Sequence, residues 1–140
     1  MTNRRMDEIV RDQHPETMPE VASVREACAA MDRRKIGAVL VTGEGGALTG
    51  IFTGRDLVRV VAAGNDPDKT QLRLAMTRHP RTMPPGRHAI DALREMHDGG
   101  FRHMPVVDNG KIIGIVSRGD FRGLERDRLD EETGYWERIG

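Results

Sequence analysis

Two short motifs carry the residue types best suited to chemistry. Thr53-Gly54-Arg55-Asp56 and Ser117-Arg118-Gly119-Asp120 share the form hydroxyl-x-x-Asp, each placed where an apolar run gives way to a helical pattern. In one reading the pair is a capping box: the hydroxyl accepts from an early helix N–H and the acidic residue three positions on answers it. In the other, the unpaired N–H groups and partial positive charge of a helix start face a phosphate, while the aspartate accepts from ribose hydroxyls. Both readings use the same local geometry.

The remaining candidates point away from catalysis. Histidines 14, 79, 88, 97 and 103 show no zinc-ligand spacing with carboxylate or thiol support, so no metal site is expected. Cys28 is the single cysteine; it forms no internal disulfide and reads as a small core residue. Gly43-Glu44-Gly45-Gly46 lacks the Gly-Lys-Ser/Thr of a phosphate loop and joins two strand-like runs, which makes it a turn. No Ser/His/Asp or Cys/His arrangement has a supporting context, so no catalytic residue is assigned and no enzyme is expected. Nucleic-acid binding would want basic clusters interleaved with aromatics, whereas Phe52, Phe101 and Phe121 fall at core positions of strands or helix.

The elements that must position the two motifs come in two copies. His14-Pro15-Glu16-Thr17-Met18-Pro19 recurs as His79-Pro80-Arg81-Thr82-Met83-Pro84, and Gly50-Ile51-Phe52-Thr53 to Asp56 recurs as Gly114-Ile115-Val116-Ser117 to Asp120. Each copy predicts a leading helix (about 5–13; about 71–78) that stops at His-Pro, because a residue before proline is pushed out of helical geometry. A second helix follows (about 24–34; about 89–98), with Val24, Ala27, Cys28 and Met31 on one apolar stripe and Ile90, Leu93 and Met96-His97 on the other. Two strands then flank a turn (36–42 and 48–53; 101–107 and 111–117), and a last helix closes each copy (55–63; 120 to about 125). Met18, Met31, Met83, Met96 and Met104 read first as core.

The doubled pattern resembles the cystathionine-β-synthase (CBS) domain pair. The residues that carry the resemblance are the His-Pro-x-Thr-Met-Pro segments, Ile36-Gly37-Ala38-Val39-Leu40-Val41, Arg102-His103-Met104-Pro105-Val106-Val107 and the two closing motifs. The resemblance implies an α+β fold: two βαββα units related by a pseudo-twofold axis, here residues 5–66 and 71–125, followed by a short helical tail, 126–140. It implies clefts that hold an adenosine-containing regulatory ligand such as AMP, ATP, NAD or S-adenosylmethionine, with no cofactor required. Carried over by position, Ser117 and Asp120 would bind a ribose in one cleft and Thr53 and Asp56 in the other. Thr17, Met18, Thr82 and Met83 would lie along the base, with Met104 beside Met83 in an adenine pocket. Arg102 and His103 would meet phosphate, as would Arg55 and Arg118. Their first-copy counterparts are the uncharged Gly37 and Ala38, so the two clefts are expected to differ. The resemblance also implies a homodimer that senses rather than catalyses, its output passing to an unidentified protein partner or to its own assembly. The alternative is a dimerisation or docking scaffold with empty or degenerate clefts.

Charge and composition fit a sensor in the cytoplasm. Twenty-two basic residues balance 22 acidic ones over 140 residues, which removes a whole-chain case for nucleic acid or an anionic membrane. No apolar run has the length of a membrane span, and no signal peptide is apparent. Neutrality is an average: residues 71–123 hold nine basic and five acidic residues, whereas 124–140 hold three and six. In that acidic tail Leu129, Trp136 and Ile139 suit a short amphipathic helix, docked either on its own domain or on a second subunit or a partner.

Overall fold

The computed structural model describes residues 4–121; the expected tail helix, 126–140, and the end of the expected closing helix lie outside them. Helices and strands alternate in a mixed α+β fold. Within the described residues the chain divides into two compact units, one made of 14–81 with 109–112 and the other of 4–13, 82–108 and 113–121.

The first of these units holds a four-stranded sheet in the order β1 (Thr17–Pro19), β2 (Ala38–Thr42), β3 (Leu48–Thr53) and β4 (Thr77–Arg78). β1 runs parallel to β2, and the other neighbours are antiparallel. Helix α2 (Val24–Arg34) starts where the Ser23 hydroxyl accepts from the Glu26 N–H, and it stops at Lys35 in the left-handed region. Ile36 N–H then donates back to the Met31 carbonyl at 3.0 Å, so the strand begins at Ala38 rather than at Ile36. Val24, Ala27, Val39, Val41, Phe52, Val60 and Leu72 form this unit's core, with Cys28 and Met31 half-buried against it.

The second unit repeats the plan with fewer strands. Helix α5 (Ala89–Gly99) ends at the left-handed Gly100, and Phe101 N–H donates to the Met96 carbonyl at 3.1 Å, the counterpart of the Ile36 bond. The strand therefore begins at His103, not at Phe101: β5 (His103–Asp108) joins β6 (Lys111–Ser117) through Asn109-Gly110, both at positive φ as a tight hairpin turn requires. Met83 pairs with Val106 in a single parallel bridge where the other unit has β1. Its core is Met6, Met83, Ile90, Leu93, Met96, Met104, Val106 and Val116. His97, expected on the apolar stripe, is exposed; Ala89 and Ala92 complete that stripe instead.

The leading helices depart furthest from expectation. They are single turns, α1 (Met6–Ile9) and α4 (Leu72–Ala75), and neither reaches its His-Pro. Beyond α4 the backbone turns extended at Met76, because Thr77–Arg78 pairs with β3. Beyond α1 it passes Asp12 at φ 62, and the Gln13 side chain accepts from the Ile115 N–H at 2.9 Å, replacing the missing backbone pairing. Each leading helix also folds with the other copy's sheet: α4 belongs to the unit of the first copy, and α1 to that of the second. The glycines of the closing motifs permit it. A Cβ on Gly50 would collide with Met76 and with the Thr77 carbonyl; one on Gly114 would collide with Val10 and Gln13.

Candidate functional site

Both hydroxyl-x-x-Asp motifs sit where a strand ends, and both make the capping contact. Thr53 N–H donates to Asp56 Oδ2 at 3.0 Å and Ser117 N–H donates to Asp120 Oδ2 at 2.7 Å; each hydroxyl donates to the same oxygen, at 3.3 and 3.2 Å. What surrounds the two aspartates differs.

Asp56 opens helix α3 (Gly54–Ala62) and is 1% exposed. Its second oxygen, Oδ1, accepts from the Thr77 hydroxyl and from Arg59 Nη1, both at 3.0 Å. Both carboxylate oxygens are thus filled by the protein's own donors. Burying a charge is tolerable under this condition, since an unpartnered carboxylate away from water is strongly disfavoured.

Asp120 ends a short 3-10 turn, Arg118–Asp120, and is exposed. The chain turns extended at Phe121, so the helix expected to begin at Asp120 does not form there. Among the described residues Asp120 Oδ1 has no hydrogen-bond partner. The sequence explains this: the positions that match Thr77 and Arg59 are Asp12 and Gly123, and neither side chain can donate.

Around Asp120 the fold gathers the residues expected to meet phosphate. Arg118 N–H donates to the Arg102 carbonyl at 3.0 Å, which sets the two arginines side by side at the strand ends. His103, half-buried on β5, has its pKa lowered first by burial; the charge of Asp120 raises it in part and Arg102 lowers it further. The ring is therefore neutral at pH 7 with both a carboxylate and a guanidinium in its field. Sequence reasoning missed Arg4, whose Nη2 donates to the Asp120 carbonyl at 2.9 Å across 116 residues of chain. Its own carbonyl accepts from Ala89 N–H at 2.6 Å, and Arg5 pairs with His88, which pins the segment to the α5 end of the unit. Only the arginine-rich start of the chain hinted at it.

The other expected site residues are distributed as follows. Thr82 is exposed beside Met83, but the Met83 and Met104 side chains are fully buried in the core and offer no surface to a ligand. In the other unit Thr17 is exposed and Met18 half-buried on β1, and Arg55 is exposed in the first turn of α3. No arginine or histidine stands at Gly37 or Ala38, where the second copy has Arg102 and His103. Among the described residues no cluster of three or more His, Cys, Asp or Glu side chains can hold a metal ion, and no helix is long and apolar enough to cross a membrane.

Two tandem copies of a small α+β unit, each closed by a Gly-x-x-hydroxyl-x-x-Asp motif, define the CBS-pair class of folds. The CBS-domain pattern matches residues 7–63 and 71–126, and the chain belongs to that family. It is 41% identical over 101 residues to a CBS domain-containing protein of Arabidopsis thaliana, covering 71% of this chain and 18% of that one. The chain thus spans about a fifth of the length of the curated relatives it matches first. A CBS-domain containing protein from Agrobacterium tumefaciens has a crystal structure similar to it at TM-score 0.79 and 32% identity, over 86% of this chain and 91% of that one. A CBS domain protein from Pyrobaculum aerophilum, solved in complex with AMP, shares the fold at TM-score 0.81 and 24% identity, over 91% of this chain and 98% of that one.

Proposed function

We propose that this chain is a non-catalytic regulatory module that binds one adenosine-containing ligand at the Ser117–Asp120 turn. The observation that carries the reading is the contrast between the two aspartates. Asp120 keeps an exposed oxygen with no donor from the described residues, whereas both oxygens of Asp56 are occupied. An exposed carboxylate held rigid by its own cap is a good acceptor for ribose hydroxyls, because its orientation is fixed before the ligand arrives. Arg102 and Arg118 would meet the phosphate, and His103 would gain a proton more readily as that charge approached. Ser117 supports Asp120, and the exposed Thr82 is the residue of its segment best able to meet the base. In the first copy, Thr53 and Asp56 act as a structural cap. AMP, which the Pyrobaculum aerophilum relative of the same fold holds, is the first ligand to try.

A panel of AMP, ATP, NAD and S-adenosylmethionine in a thermal-shift measurement tests this. A ligand at 100 times its Kd stabilises the fold by about 2.7 kcal/mol, a readily measured rise in Tm. The Asp120→Ala protein should lose that rise, and its Tm without ligand should fall far less than that of Asp56→Ala. Asp56→Ala should melt early yet still respond. If no ligand moves the wild type, the module is a scaffold, the second reading that the filled Asp56 site favours. Through what partner or assembly the bound state is signalled belongs to the same proposal.

A further inference from the structure

The strand pairing of the second copy puts an imidazole next to the proposed ligand turn. Arg118 N–H donates to the Arg102 carbonyl at 3.0 Å, and this bond sets His103, the first residue of β5, opposite Ser117, the last of β6. The first copy has the same register, with Ala38 opposite Thr53. Residues opposite one another in an antiparallel pair share a face, their Cβ atoms about 5 Å apart. Ser117 in turn donates to Asp120 Oδ2 through both its N–H and its hydroxyl. Imidazole, hydroxyl and carboxylate thus form one cluster, and the imidazole is half-buried. The first copy has nothing that titrates at the matching position, Ala38.

The charges that bear on the ring have opposite signs. The Asp120 carboxylate stands beyond β6 and the Arg102 guanidinium before β5. Arg118 and Arg4 are tied to the same turn through the Arg102 and Asp120 carbonyls. Helix α5 packs on the other face of β5, against Met104. Burial keeps the ring neutral in spite of Asp120, and Arg102 adds to that tendency. A phosphate changes the sum. It pairs with the guanidinium, cancels the positive charge that opposes protonation, and leaves the ring facing two anions in a partly dehydrated place. A neutral ligand at the same turn does none of this.

Resting on the Ser117–Asp120 turn as the ligand site, we propose that binding of a phosphate-bearing adenosine ligand there is coupled to uptake of a proton from solvent by the His103 imidazole. The module then holds such a ligand more tightly as pH falls. Titration calorimetry of AMP near pH 6.5, in two buffers of different ionisation enthalpy, counts the protons exchanged. The second pKa of a phosphate monoester is itself about 6, so the quantity read is the difference between wild type and His103→Gln. Wild type should take up about 0.3 proton more per AMP than the variant, and between about pH 7.5 and 6 its affinity should gain about threefold on the variant's. The ring-proton NMR signal that His103→Gln removes reads the same coupling in wild type alone. Its titration midpoint should move to higher pH with AMP and stay in place with saturating adenosine. Equal proton exchange in wild type and variant, or a midpoint unmoved by bound AMP, would overturn the coupling while leaving the site standing. A midpoint moved as far by adenosine would overturn phosphate as its cause. Failure of AMP to bind the wild type would overturn the site and the coupling together.

Discussion

The closing motif of the first copy and that of the second share Gly-Ile, a hydroxyl and an aspartate in the same register, yet their surroundings differ. Asp56 is buried and accepts from Thr53, Thr77 and Arg59; Asp120 is exposed and accepts from Ser117 alone among the described residues. A motif by itself specifies the cap. Whether a carboxylate oxygen is left over for a ligand depends on which other segments bring donors to it.

The largest effect expected from this contrast is on stability. Asp56→Ala removes the acceptor of four donors around a buried position and should cost about 3 kcal/mol in chemical denaturation. Asp120→Ala, at an exposed cap, should cost about 1 kcal/mol. Equal losses would break the comparison. The two motif glycines come next. Gly114→Ala drives a Cβ into the branched Val10 side chain, and Gly50→Ala drives one into the flexible Met76. Overpacking of this kind costs about 1–3 kcal/mol, so Gly114→Ala should fall near the top of that range and Gly50→Ala lower. The reverse order would show that Val10 yields more readily than Met76.

Smaller effects fall on the second motif. Arg4→Ala releases the Asp120 carbonyl and should weaken AMP and adenosine alike by about fivefold, equivalent to about 1 kcal/mol. Such a uniform loss marks a residue that positions the turn; a loss confined to AMP would make Arg4 a phosphate ligand instead. The pH response of His103 is smaller still. Burial lowers its pKa in the folded protein, so below the ordinary histidine value near 6.5 the unfolded chain binds the proton more readily and stability falls with pH. His103→Gln should flatten that acid-side decline below about pH 6.5. A decline of unchanged slope would place its origin in other groups.

Much of the fold was legible in the sequence because it rests on local signals. The spans of α2, β3 and β6 follow from the apolar stripe of Val24 to Met31, the β-forming runs and the glycine turns between them. The leading helices were less legible. Their helical periodicity is real, but Thr77–Arg78 is taken by an edge of β3 that lies more than 20 residues away in sequence, and pairing with a sheet overrides propensity. The exchange of α1 and α4 between the copies is invisible to any local pattern. For the candidate site, the sequence placed both aspartates at the ends of strands and Arg102-His103 at the start of one, where the structure has them. It left open which aspartate is filled, since Thr77 lies 21 residues from Asp56 and Arg4 lies 116 from Asp120. Met83 and Met104 read first as core in the sequence, and both are buried in the cluster that includes Leu93 and Met96 of α5.

On the proposed function, one of two matched motifs binds and the other braces. Titration calorimetry of AMP into the 140-residue chain tests it most directly, with Asp120→Ala and Asp56→Asn measured beside the wild type. One site per chain is expected, lost in Asp120→Ala and retained in Asp56→Asn. Two sites per chain, or a single site abolished by Asp56→Asn and spared by Asp120→Ala, would contradict it.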